Sequence, residues 1–136
     1  MKYFFKLHCL SIVFTISSCS FRSRSAQLEL EIKYEHAVSL LKENKNEAAL
    51  ESFVLLCQNE KHWQSCSNAG SIFHKNNNLS EAKKNFLLGC ENDDGFGCFG
   101  LGIILEKADP ILSKSFILKS CDLNFELACK FKSEFH

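Results

Sequence analysis

Proline is almost missing from this chain, and glycine is scarce. Pro110 is the single proline, and five of the six glycines crowd between residues 89 and 102. So few helix breakers and turn formers point to a mostly helical fold. Charge of one sign is missing too. Lysine plus arginine and aspartate plus glutamate stand at 16 each. No basic stripe gathers, so nucleic acid is not an expected partner. Long hydrophobic runs are absent as well. The stretch Leu7–Ile16 is interrupted by His8, Ser11 and Thr15, whereas a membrane-spanning helix takes about 20 apolar residues. The eight cysteines also lack the spacings of metal and redox chemistry. No two stand two to four residues apart, as structural zinc sites require. No Cys-x-x-Cys offers the lowered thiol pKa of a redox catalyst. Neither a metal nor another cofactor is expected.

What is present begins at the N-terminus. Lys2 and Lys6 precede the short apolar stretch, and small residues follow it. That order fits a secretory signal. The segment Ile16-Ser17-Ser18-Cys19 resembles a bacterial lipobox. The resemblance implies cleavage before Cys19, lipidation of Cys19 and anchoring in a membrane. Ser20 rather than aspartate follows the cysteine, which implies the outer membrane. The expected division is a signal peptide over 1–18, a lipidated polar tether over 19–25 and a repeat domain over 26–136. The expected location is the bacterial cell envelope, facing the periplasm or the exterior, or else the secreted fraction.

The other six cysteines fall into three pairs: Cys57 with Cys66, Cys90 with Cys98, and Cys121 with Cys129. Their first members are 33 and then 31 residues apart, and their second members 32 and then 31. The sequence between them cycles with the same period. Leu28, Ile32, Ala37, Leu40 and Leu41 predict one face of a helix over 26–43. Asn44 and Glu47 form a candidate capping pair for a helix through Ala49, Phe53 and Leu56. A second helix starts near Trp63 and carries Cys66, Ala69, Gly70 and Phe73. Asn78 and Glu81 then echo Asn44 and Glu47, Glu91–Gly95 reads as a turn, and Asp109-Pro110 reads as a helix start. The third copy ends in a short helix through Cys129, Phe131 and Phe135. Ala49, Ala82 and Ser113 correspond, as do the stretches around Gly70 and Gly102, so small residues are expected where the two helices of a hairpin cross. The 13 phenylalanines supply core filler. A period of 31–33 residues with two helices per copy is that of a tetratricopeptide-like solenoid.

Over residues 44–132 the chain resembles the Sel-one-like repeat proteins, in particular their cysteine-rich secreted bacterial branch. The thrice-repeated cysteine pair carries that resemblance. It implies an all-α, right-handed solenoid of helix hairpins, with disulfides Cys57–Cys66, Cys90–Cys98 and Cys121–Cys129 across the three turns. Here the period is shorter than the family's usual one. Lys75-Asn76-Asn77-Asn78 and Glu106-Lys107-Ala108-Asp109 stand where the family commonly has glycine-rich loops. Such a domain is expected to present a surface to a protein or peptide partner rather than to catalyse a reaction.

Some cysteine-rich relatives are named as penicillin-binding or β-lactamase-like hydrolases, which is the alternative the resemblance brings. Ser39-Leu40-Leu41-Lys42 and Ser80-Glu81-Ala82-Lys83 match the Ser-x-x-Lys element of such enzymes, but Ser-Asp-Asn and Lys-Thr-Gly are missing. No catalytic residue is therefore assigned. His36, His62 and His74 stand apart from any repeated acid or serine. Trp63 is expected to pack on the preceding hairpin, with a partner anchor as its functional alternative. Asn92-Asp93-Asp94 lacks the spaced acids of a calcium loop and reads as a solvated turn.

Overall fold

A computed structural model describes residues 24–132. The signal-like segment, Cys9, Cys19, the tether as far as Ser23, and Phe135 lie outside the described residues. Within them the chain forms helices and no strand. The helices are α1 (24–42), α2 (Asn46–Asn59), α3 (Trp63–Lys75), α4 (Leu79–Glu91), α5 (Gly95–Leu105), α6 (Pro110–Asp122) and α7 (Glu126–Lys132). The first helix begins two residues inside the expected tether.

The turns explain how so little glycine suffices. Five of the links carry a non-glycine residue in the left-handed region: Asn44 (φ 59°), Lys61 (52°), Asn77 (59°), Asp93 (61°) and Asn124 (64°). Asparagine and aspartate enter that region more readily than other side chains. The next amide then reaches back to close the helix. Asn78 N–H donates to the Phe73 carbonyl (2.9 Å), Asp94 N–H to Gly89 (3.0 Å) and Phe125 N–H to Ser120 (3.1 Å). This is the Schellman arrangement. The same residue can start the next helix: Asn78 Oδ1 accepts from Glu81 N–H, and Asp94 Oδ2 from Gly97 N–H, both at 3.3 Å.

The α5–α6 link instead uses Asp109, whose Oδ1 accepts from Leu112 N–H at 2.9 Å ahead of Pro110. The expected Asn44 cap is corrected. Lys45 occupies the capping position, without a side-chain cap bond, because Asn44 is taken up by the left-handed step. Gly95 likewise opens α5 rather than closing a turn.

Each helix from α2 to α7 packs on its neighbours in the chain, and α3 also meets α5. Three buried clusters run along this order. Ala37, Ala49, Phe53, Leu56, Ala69 and Ile72 form the first. The second is built on Ala82, Phe86 and Leu101, and the third on Phe99, Ile117 and Ala128.

Small residues let α3 approach α4, and α5 approach α6. A Cβ on Gly70 would lie 2.9 Å from Phe86 and 3.2 Å from the Ala82 carbonyl oxygen. A Cβ on Gly102 would lie 2.5 Å from Ile117 and 3.3 Å from the Ser113 carbonyl oxygen. The Ser113 hydroxyl donates to the Gly102 carbonyl at 2.8 Å. These crossings lie between successive hairpins, not within one as the spacing had suggested. Inside each hairpin the cystine holds the helix ends together, and between α4 and α5 Gly97 and Gly100 also allow a close approach.

The face expected of α1 is also corrected. Ala37 is fully buried, with Leu30, Tyr34, Val38, Leu40 and Leu41 packed around it. Leu28 and Ile32 stand on the opposite face, 63% and 61% exposed. The inner stripe is Leu30, Tyr34, Ala37 and Leu41, which keeps the three-to-four-residue helical spacing. Leu28 and Ile32 share a different side of the same helix.

Candidate functional site

The cysteines come together as pairs. Disulfides join Cys57 to Cys66, Cys90 to Cys98 and Cys121 to Cys129, with Cα–Cα separations of 4.9, 4.5 and 4.6 Å. Each links the end of one helix to the start of the next. The extra residue between Cys57 and Cys66 is absorbed at the end of α2, where His62 N–H reaches the Leu56 carbonyl, six residues back, at 3.1 Å. The first two cystines are buried, and the third is half-buried. Closing a loop of this length stabilises by about 2.5 kcal/mol in the chain-entropy description. Three such bonds fit an oxidising environment outside the cytoplasm. No helix among the described residues is long and apolar enough to cross a membrane.

Two grooves lie on the surface, each of about 280 Å³. The first runs between α1 and α2 and is lined by Lys33, His36, Ser52, Leu55, Leu56, Asn59 and Glu60. Leu55 gives it an apolar floor and is 51% exposed. Lys33 Nζ lies 2.9 Å from Glu29 and 3.5 Å from Glu60. Its hydrogen bond to Glu29 raises the ammonium pKa above its ordinary value, and the same bond lowers that of Glu29. Of the polar residues of this groove, only His36 stands out in the sequence. An exposed leucine opposite a lysine leaves no distinctive spacing.

The second groove joins the α2–α3 and α4–α5 turns. It is lined by Leu30, Lys61, His62, Trp63, Gln64, Asn92, Asp93 and Asp94. Trp63 is half-buried at the start of α3. His62 Nδ1 lies 2.8 Å from the Ser65 hydroxyl, and its ring sits 4.7 Å from that of Tyr34. Burial lowers the His62 pKa, against the opposing pull of Glu31 and Asp94. Asp93 approaches Lys119 Nζ at 3.8 Å, and that lysine also donates to the Cys90 carbonyl at 2.8 Å. The Asp93–Asp94 edge of the groove thus carries two carboxylates, one of them beside Lys119.

The Ser39 hydroxyl donates to the His36 carbonyl within α1 at 2.7 Å. Ser80 is an exposed residue in the first turn of α4. Neither lines either groove. His74 is exposed in the last turn of α3. Among the described residues, no group of three histidine, cysteine, aspartate or glutamate side chains could hold a metal ion. No protein-family model matches the chain, and a search of curated proteins finds no match.

Proposed function

We propose that the chain is a lipid-anchored interaction scaffold of the bacterial envelope, built as a right-handed solenoid of Sel-one-like, tetratricopeptide-type hairpins. The carrying observation is the repeated joint between hairpins. Gly70 against Phe86 recurs as Gly102 against Ile117, 32 and 31 residues on. A cystine closes the hairpin between those joints and the hairpin on either side of them. Repeat arrays bury their core by stacking neighbours and leave an extended surface for a partner. The three disulfides agree with the signal-like start of the chain, and the Ile16–Cys19 segment supplies the anchor.

Labelling with a fatty-acid analogue in a bacterial host tests the anchor. Label on Cys19 that disappears in Cys19→Ala is expected, and an unlabelled envelope protein contradicts it. Photo-crosslinkers at Ser52 and Asn92 test the scaffold role, and a discrete protein adduct from at least one groove is expected. Nitrocefin turnover by the purified protein, abolished by Ser80→Ala or Ser39→Ala, would replace the scaffold with the hydrolase alternative.

A further inference from the structure

We infer that the outer face of α1, with the groove beside it, is a docking site for one amphipathic helix of a partner protein, lying antiparallel to α1. This rests on the repeat reading above and on the register that reading provides. Ala37 precedes the buried Ala49 by 12 residues, as Gly70 precedes Ala82 by 12 and Gly102 precedes Ser113 by 11. Tyr34 meets His62 at 4.7 Å, and two hairpins on Phe99 meets Phe125 at 5.4 Å. By these contacts α1 occupies the same place as α3 and α5, the second helix of a hairpin. Among the described residues it has no first helix.

Burial records the gap. Moved on by 33 residues, Ile32, Lys33 and His36 become Ser65, Cys66 and Ala69, all 0% exposed beside α2. On α1, Ile32 is 61% exposed, and Lys33 and His36 are open. The α1–α2 groove continues the interface that α2 fills on α3, with Leu55 as its apolar floor.

Continuity with that interface sets the occupant. A helix seated there would end, as α2 ends where Cys57 meets Cys66, beside Lys33 and the Glu29 and Glu60 carboxylates that hold it. A second copy is a poor occupant, because its α2, α4 and α6 are each bonded to their own second helix. The fitting partner is a single helix with apolar residues at the spacing of Leu50, Val54 and Cys57.

The probe is a labelled peptide of the α2 sequence, Asn46–Asn59 carrying Cys57→Ser, titrated with the full chain by fluorescence anisotropy. Saturable binding is expected. Ile32→Asp should weaken it at least about tenfold, while Ile111→Asp, at an exposed residue of α6, should leave it unchanged. Both substitutions are on the surface, so the fold survives them. A peptide whose Cys57 is activated as a thionitrobenzoate disulfide should also exchange faster with the Cys thiolate of Lys33→Cys than with that of Glu31→Cys, the thionitrobenzoate anion leaving as the inter-chain disulfide forms, which tests the register. Absent binding, equal losses from Ile32→Asp and Ile111→Asp, or self-association abolished by Ile32→Asp would each overturn the docking site. If the three intra-hairpin disulfides map correctly in the same sample, the docking site alone has failed. If they are scrambled, the repeat reading beneath it has failed.

Discussion

Substituting Gly97→Ala measures how tightly α4 and α5 are drawn together. The added methyl would lie 2.8 Å from the Cys90 amide nitrogen, 2.8 Å from the Phe86 carbonyl oxygen and 2.7 Å from the Ser67 hydroxyl. Favourable contacts to carbon begin near ~3.5 Å, so each approach is several tenths of an ångström too short. Two of the three atoms belong to the α4 backbone and cannot rotate away. The neighbouring cystine holds Cys90 and Cys98 with their Cα atoms 4.5 Å apart and resists separation of the helices. Overpacking costs about 1–3 kcal/mol, and fixed neighbours place this site at the upper end. Alanine in place of a helical glycine offsets about 0.8–1 kcal/mol of that. The expected net loss is about 2 kcal/mol, or roughly 10 °C in Tm for a domain of this size. Urea denaturation of the oxidised protein should show a lowered midpoint with an unchanged slope. Ser65 and Ala128, the matching residues of the other hairpins, carry a Cβ and are fully buried. A neutral or stabilised variant would mean that α4 and α5 relax to that spacing, and would refute the close crossing.

Three further outcomes are expected. Ser67 has the one buried side-chain oxygen without a hydrogen-bond partner among the described residues, so Ser67→Ala should be neutral or stabilise by up to about 1 kcal/mol in the same urea assay. Because burial depresses the His62 pKa, the folded protein binds fewer protons there than the unfolded chain does. Stability should therefore fall as pH drops through the ordinary histidine value of about 6.5, and a urea midpoint independent of pH between 7.5 and 5.5, or unchanged in its slope by His62→Gln, would contradict it. The half-buried Cys121–Cys129 bond should be reduced before the two buried ones under limiting reductant, as read by differential alkylation, and the Cys121→Ser, Cys129→Ser double variant should lose about 2.5 kcal/mol.

Much of the fold was legible because its signals are local. The paired cysteines, Asn78 with Glu81, and Asp109 ahead of Pro110 each act within a few residues of themselves, and the helices and caps lie where those signals put them. Asn44 misled because two local uses of asparagine compete. At the end of α1 the left-handed turn took the residue that looked like a cap. The α1 face was misjudged because Leu28 and Ile32 keep helical spacing with each other but not with Ala37, and stand on the opposite side from it. The first helix also lacks a cysteine, and its contacts with the hairpin that follows, such as Tyr34 with Asn68 and His62, are long-range and leave no local signal. For the same reason the α1–α2 groove, made by residues from two helices, has no signature along the chain.

Non-reducing peptide mapping of protein recovered from an oxidising compartment tests the central claim most directly. The claim is that the chain repeats a helix hairpin with a disulfide across each turn. Three linked peptides are expected, Cys57 with Cys66, Cys90 with Cys98 and Cys121 with Cys129, with none of these thiols free before reduction. A link between different hairpins, or free thiols at these positions in exported protein, would contradict it.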